Sequence, residues 1–336
     1  MPGLTWNTSE LLTDIRAQAL LADDEPEAAA EVLLAEATRL LHTVYAPAVR
    51  RVRSDYYVQE ATIPLAAGVS MYALPHRAVT ASVRRVRWVD SAGRERALQP
   101  VSIEDAGAAR HNVGRTPEGY ALLDGAVCVY PVPTAAEGYL LVLFEYRPAM
   151  LVETTSASLL AYAVIGVPGT PPAYADGVYT VQVSMTAGDI DIGDTFDLVM
   201  LHPPFSTTLL GATVTDSTSL GGGYYDLAAT AEAGWREPVP LTGTRTGYCM
   251  TTDTSAIPQI PPELHPVLAT HVAAKFLRSR DPEASKELLA DAERRLKDVL
   301  GAMSPRKQGT QQKIRSTTSY LRNRRRRVGN TFADWE

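Results

Sequence analysis

Six histidines, two cysteines and one dense run of carboxylates are the side chains of this 336-residue sequence with the widest chemical reach. His42, His76, His111, His202, His265 and His271 form no HExxH pair, the spacing that sets two imidazoles one helical turn apart on zinc. The six-residue step from His265 to His271 puts those two on different faces of a helix, and His271 on an apolar face reads as a packing residue. Cys128, inside AVCVY, and Cys249 belong to no CxxC, so neither zinc nor a redox pair is indicated. Asp189-Ile190-Asp191-Ile192-Gly193-Asp194 has the acid density of a calcium loop. It lacks the twelve-residue frame and closing glutamate of an EF-hand, and alternation with isoleucine reads as a strand edge. Gly221-Gly222-Gly223 has no Lys-Ser or Lys-Thr after it and is a turn, and no GxSxG elbow occurs. The expectation is a protein without catalytic residues, metal or cofactor.

What remains is charge. The net charge of −6 divides unevenly, with nine Lys or Arg and two acids in residues 306–336 against 23 basic and 36 acidic residues in 1–305. Lys313 and Arg315 precede Tyr320, and Arg322, Arg324, Arg325, Arg326 and Arg327 follow it. Such a run neutralises phosphates or docks on an acidic protein surface, with Phe332 and Trp335 able to anchor its end in a pocket. A cationic tail on an anionic body is expected to leave that body for a partner. No apolar run approaches the ~20 residues of a membrane helix, and MPGLTWNTSELL is not a signal peptide. With two cysteines, synthesis in a reducing cytoplasm is expected, and no membrane partner.

The elements that must carry this tail follow from local signals. Asn7-Thr8-Ser9-Glu10 is a helix start with an acid at the third position, and Asp23-Asp24-Glu25-Pro26 is a second start. Leu33, Ala37, Leu40 and Val44 share one face of the next helix, which Pro47 should end or kink before it stops near Arg53. A strand block follows. Ala61–Leu65 and Ser70–Leu74 flank a reversal at Ala66-Ala67-Gly68, and Val83–Val89 returns through Asp90-Ser91-Ala92-Gly93 into Arg94–Val101. Ser102-Ile103-Glu104-Asp105 caps a short helix to His111. Asp124-Gly125 is a type I′ hairpin signal, and Tyr139–Tyr146, apolar on both sides, belongs at the centre of the sheet. Residues 152–256 are rich in Thr, Ser, Gly and Tyr, with VYTVQVSM, TFDLVML, TLLGATVT and GYYDLAAT as strands. Pro261-Pro262-Glu263 and Asp281-Pro282-Glu283 open two closing helices, the second with Leu289, Ala292, Leu296, Val299 and Met303 as a packing seam. The fold class expected is α+β: N- and C-terminal helices packed with a small antiparallel β-sheet domain, plus an inserted all-β domain. The segments are 1–55, 56–150, 151–256, 257–304 and the basic tail 305–336.

The succession of motifs resembles the head-to-tail adaptor (connector) proteins of tailed bacteriophages. Tyr72, Leu74 and Pro75 match a Y-x-LP strand end, and Pro131 and Pro133 a P-x-P after a sheet strand. Tyr146 and Pro148 approximate the Y-x-x-P that closes the sheet, one residue short. Ile260, Pro261, Pro262, Leu264 and Leu268 match the IPP-x-L-x-x-x-L of the closing helix. The resemblance covers about 1–150 and 257–303, and the stretch 152–256 departs from it. It implies a structural virion protein at the head–tail interface: a homo-oligomeric ring, commonly of twelve subunits, under the portal and above the tail or nozzle proteins. Genomic DNA would pass through the channel without specific binding, and the tail residues from Lys313 to Trp335 would grip the portal protein. No cofactor is implied. The alternative is a nucleic-acid-binding protein acting through the Arg322–Arg327 run, and a third reading gives 152–256 a binding surface with Tyr224, Tyr225 and Trp235.

Overall fold

The computed structural model describes residues 6–303 apart from 23–24, 76, 103–112, 115, 156–157, 166–177, 185–189, 201–205 and 231–244. The helix expected from Ser102 to His111 and the whole basic tail therefore lie outside the described residues.

Helix α1 (Thr8–Ala19) begins on a reciprocal capping box, the Asn7 side chain accepting from Glu10 N and the Glu10 carboxylate from Asn7 N. Leu11, Leu12, Ile15 and Ala19 give it one buried face. A short 3₁₀ turn at Pro26–Ala28 leads into α2 (Ala30–Leu40). Proline at 47 has no N–H to give and crowds the carbonyl four residues earlier. The chain answers with a wide π turn over Leu41–Tyr45, in which Ala46 N–H reaches Leu41 O, and helix resumes as α3 (Ala46–Val52). At the other end of the sequence, α4 (His265–Leu277) and α5 (Pro282–Met303) form an antiparallel pair, α5 capped by Asp281, whose carboxylate accepts from Glu283 N and Ala284 N. On α5 only Ser285 and Ala292 are fully buried, and Leu289 is exposed. The seam read from the sequence is thus half covered in a single chain.

The strand block is not one sheet. In chain order its strands are β1 (Val58–Pro64), β2 (Met71–Ala73), β3 (Ala78–Val89), β4 (Glu95–Ala97), β5 (Gln99–Pro100), β6 (Val113–Gly114), β7 (Gly119–Leu123), β8 (Ala126–Tyr130), β9 (Val132–Pro133) and β10 (Tyr139–Tyr146). They form two four-stranded sheets, β1-β10-β3-β4 and β2-β8-β7-β5, and a small parallel pair β6-β9. β10 is central, as its two apolar faces require. Ala66–Gly68 does not join paired strands as expected. It is a corner where the chain leaves the first sheet for the second, held by the Tyr72 hydroxyl, which accepts from Ala66 N and donates to Val69 O. The return after Asp90–Gly93 likewise splits, since Glu95–Ala97 pairs with β3 while Gln99–Pro100 pairs in parallel with β7. The hairpin β7–β8 turns on Asp124 and Gly125, both at positive φ. A side chain at Gly138 would strike Val89 O at 1.9 Å, so only glycine lets β10 start there. Helices and both sheets share one core, with Leu33, Leu41, Tyr45, Val86, Val129, Leu140, Phe144 and Val272 at its centre.

Between β10 and α4 the chain runs through β11 (Met150–Leu151), β12 (Leu159–Ile165), β13 (Val178–Ser184), β14 (Thr195–Met200), β15 (Ser206–Gly221), β16 (Tyr224–Thr230), β17 (Arg245–Thr251) and β18 (Thr254–Ser255). Six of them close a barrel in the order β12-β13-β16-β15-β14-β17. Its interior is small and apolar, built from Ala161, Val181, Val183, Phe196, Leu198, Ala212, Leu227 and Cys249. The strands expected in this stretch are present, and β12 and β17 are two that the sequence reading did not name. Asp191–Asp194 is a turn into β14, with Asp191 N–H on the Asp194 carboxylate and Gly193 at positive φ, not a strand edge.

The N-terminus is fastened by a histidine. Trp6 N–H donates to His265 Nδ1 at 3.1 Å, which leaves Nε2–H to donate to Ile260 O at 3.1 Å. His265 is completely buried, and desolvation drives its pKa down to about 4. The unfolded chain takes up this proton near pH 6.5 and the native chain does not until about pH 4. The His265 contribution is therefore complete above pH 6.5 and is lost as pH falls toward 4, by about 3 kcal/mol in total. Urea midpoints measured between pH 7 and pH 4 should fall accordingly, and His265→Gln should flatten that part of the profile.

Candidate functional site

The place where the sequence motifs meet is a buried guanidinium. Arg77 lies two residues after Pro75 of the Y-x-LP segment, is 1% exposed, and sits just before β3 where both sheets, the barrel and the approach to α4 converge. Its Nε and Nη2 donate to Arg147 O at 2.9 and 2.6 Å, and Arg147 N–H donates back to Arg77 O at 2.9 Å. Nη2 also donates to Gln259 Oε1 at 2.5 Å, and Nη1 to Asp197 Oδ2 at 3.2 Å. Asp253, 3.9 Å from Nε, adds a second carboxylate, and the Tyr146 ring lies 5.4 Å from the guanidinium carbon.

Each partner arrives for a local reason. Strand alternation turns Phe196 and Leu198 into the barrel and Asp197 out of it, toward Arg77. Asp197 also accepts from Gly211 N at 2.8 Å and Asp253 N at 3.1 Å, so one wholly buried carboxylate ties three barrel segments to the core. Gln259, just before Ile260-Pro261-Pro262, accepts from Ala149 N at 2.8 Å, while its backbone carbonyl accepts from the Tyr57 hydroxyl at 2.8 Å. Tyr57 in turn packs edge-on against Tyr146. Burial strongly disfavours ionising Tyr57, with Tyr56 and Tyr146 acting in the same direction and Arg50 against it, so it serves as a hydroxyl donor.

The two linkers of the barrel are bonded side by side. β11 and β18 pair in parallel through Met150 N to Asp253 O and Val152 N to Ser255 O. Leu151 N–H reaches Thr38 Oγ1 on α2, Thr8 N–H reaches Ala256 O, and Ser9 and Thr154 hydroxyls lie 2.6 Å apart. Outward-facing Val199, Tyr248 and Met250 of the barrel close over Ala256 and Ile257. Helix entry, linkers and barrel wall thus form one joint around Arg77.

Residues singled out in the sequence fall elsewhere. His42 Nε2 bonds Pro148 O at 3.0 Å, and His271 Nδ1 sits 3.4 Å from the Tyr45 hydroxyl, beside the buried Glu36 that pairs with Arg39 and Lys275. Both imidazoles have packing roles. Cys128 and Cys249 are buried thiols, and burial holds the Cys249 thiol far above its usual range. No cluster of metal-ligating side chains occurs among the described residues. Tyr224 is exposed, Tyr225 packs against the barrel interior, and Trp235 lies outside the described residues. Lys313, Arg315, Tyr320, Arg322, Arg324, Arg325, Arg326, Arg327, Phe332 and Trp335 also lie outside them. The reading that missed Arg77, Asp197 and Gln259 had one usable signal, a lone arginine after the YALP motif.

Comparison with protein families matches residues 6–195 to the model described as SU10 adaptor protein. The match enters the barrel as far as the start of β14, which the motif resemblance had left out, and it stops short of α4 and α5. No curated protein matches the chain.

Removing Arg77 strands a buried carboxylate, so Arg77→Met should lower stability by about 3–5 kcal/mol. Arg77→Met with Asp197→Leu should cost less than the sum of the two single changes. Arg87→Gln, which breaks the partly exposed pairs with Glu60 and Glu95, should cost under about 1 kcal/mol. Urea unfolding measures all four, and limited proteolysis of Arg77→Met should cut first in the linkers at 147–158 and 251–258.

Proposed function

Because this chain belongs to the SU10 adaptor family of phage head–tail adaptors, we propose that it forms the ring joining the portal to the tail, with residues 306–336 clasping the portal. Its role as a family member is structural and its place is the virion. The family match is the observation that carries the reading. The joint around Arg77 supports it, because a subunit loaded along the axis of a particle has to hold its parts in one orientation. A homo-oligomer of about the usual twelve copies, with DNA passing through its centre, completes the proposal.

Charge supports the passage of DNA. Eleven acidic and two basic residues lie in 152–256, and eight acids against two arginines in 1–49. A channel bordered by these segments repels phosphates and lets the genome slide. Two arginines of the first sheet do not oppose this, since Arg84 pairs with Glu145 and Arg87 with Glu60 and Glu95. No helix among the described residues is long and apolar enough to cross a membrane.

Deleting residues 306–336 should leave the unfolding midpoint unchanged and abolish co-sedimentation with portal rings. Retained co-sedimentation would remove the tail from the interface. The competing reading, a nucleic-acid binder, predicts DNA affinity that falls steeply with salt and disappears when Arg322–Arg327 are neutralised. DNA affinity that does not change with salt dismisses it.

A further inference from the structure

The first sheet ends in two strands whose outer sides carry free backbone groups. β1 and β4 bound the order β1-β10-β3-β4, and the chain entering and leaving each of them, residues 53–75 and 86–102, is described throughout. Tyr146 N–H donates to Tyr57 O and Leu65 N–H to Gly138 O, which assigns the odd-numbered residues of β1 to the ladder with β10. The N–H and C=O groups of Glu60 and Thr62 therefore point away from the sheet. On β4, Asp90 N–H to Arg94 O and Leu98 N–H to Val86 O assign the even-numbered residues to β3. Glu95 and Ala97 accordingly face outward, and Glu95, Arg96 and Ala97 are all exposed. Among the described residues no backbone group meets these four positions on their outer side.

The even number of strands makes the two edges complementary. Every pairing in the sheet is antiparallel, so β1 and β3 run one way and β10 and β4 the other. A second copy set beside the first in the same orientation offers its β1 antiparallel to β4. Faces agree as well. The rows Thr62-Leu141-Arg87-Ala97 and Ala61-Val142-Val86 lie on opposite faces, the second in the core. Outward-facing residues of both edges belong to the first face, and bonding them keeps the two cores on one side.

Charge and proline select the register. Glu95 opposite Glu60 sets like charges against each other. Glu95 opposite Pro64 loses a bond, because proline has no N–H. Glu95 opposite Thr62, with Ala97 opposite Glu60, avoids both and lets all four residues donate and accept. Pairing β1 with β1, or β4 with β4, leaves the other edge of each copy bare. Head-to-tail pairing uses both edges in every copy, the arrangement that generates rings.

We propose that neighbouring copies of this chain join edge to edge, β4 of one against β1 of the next, with Glu95 opposite Thr62 and Ala97 opposite Glu60. The proposal rests on the ring reading above for closure, while the contact itself needs two copies and no portal. The corner that leaves β1 exposes Val69 and Met71, apolar side chains that extend the contact beyond the strands.

Disulfide trapping of the full chain tests the contact. Directly opposed residues of such a pair have Cα atoms about 5.5 Å apart, within reach of a disulfide. The native thiols Cys128 and Cys249 are buried and do not compete. Copies carrying Thr62→Cys are mixed with copies carrying Glu95→Cys and oxidised at high micromolar concentration. The mixture should give at least about tenfold more linked dimer than either variant alone, as a head-to-tail contact requires. No linked dimer, or as much from one variant alone, overturns the proposal. A second mixture, Glu60→Cys with Ala97→Cys, should link as well, and adding Thr62→Pro to the first of these should cut its yield at least about tenfold with no shift in urea midpoint. A yield indifferent to the proline, or a midpoint that falls because the Thr62 N–H is bonded internally, also overturns it. Sedimentation of the unchanged chain with portal rings separates the two readings. Rings that assemble without the cross-link refute the edge contact alone, and a cross-link without assembly refutes the ring alone.

Discussion

The guanidinium of Arg77 holds the molecule in one arrangement. Taking an arginine and an aspartate out of water costs several kcal/mol per ion, and their attraction offsets this only when geometry and further hydrogen bonds are good. Here Arg77 reaches a carbonyl, an amide oxygen and a carboxylate that come from three different parts of the chain. An apolar replacement could supply similar adhesion, since Val199, Tyr248, Met250 and Ile257 already do so nearby. It could not fix direction. A planar fork with several specified acceptors accepts one orientation of the barrel and rejects those reached by sliding, which is the use of buried charge best suited to an adaptor.

Around that joint, the parallel pairing of the linkers changes how force travels. A domain entered and left by two independent connections can swing. With Met150–Leu151 bonded to Thr254–Ser255, and Leu151 bonded to Thr38 on α2, the two connections act as a single strap. Strap and ion pair lie on the same side of the barrel, since Asp253 N–H bonds Asp197 directly. Load on the barrel therefore passes to α1, α2 and β10 together.

How much of this was legible depended on range. Asn7 with Glu10, Asp124-Gly125, Pro262 and Asp281 act within four residues, and the elements they announce are where the sequence put them. Pairing partners were not legible. Ala66–Gly68 carries the signal of a reversal whether the next strand turns back or crosses to another sheet, and only the distant residues Val127 and Leu141 decide. β12, LLAYAVI, has no clean alternation, because a register shift between Leu159 and Ala161 sends Leu159 toward the linkers while Ala161 faces the barrel interior. Arg77 was invisible for a simpler reason. A single arginine has no period, and its acceptors lie 70 to 182 residues away in sequence. Asp197 was counted among the acids of its region when, among the described residues there, it is the carboxylate buried inside the molecule.

That distinction matters for the surface. With Asp197 committed to Arg77, the exposed carboxylates of the barrel are what a neighbour or a passing phosphate meets. In the proposed ring, equal barrels repel one another across each contact, so closure has to come from the apolar and ion-paired parts of the subunit: the half-covered stripe of α5 and the mixed-charge face of β1, β10 and β3. The barrels then contribute orientation and charge, not adhesion.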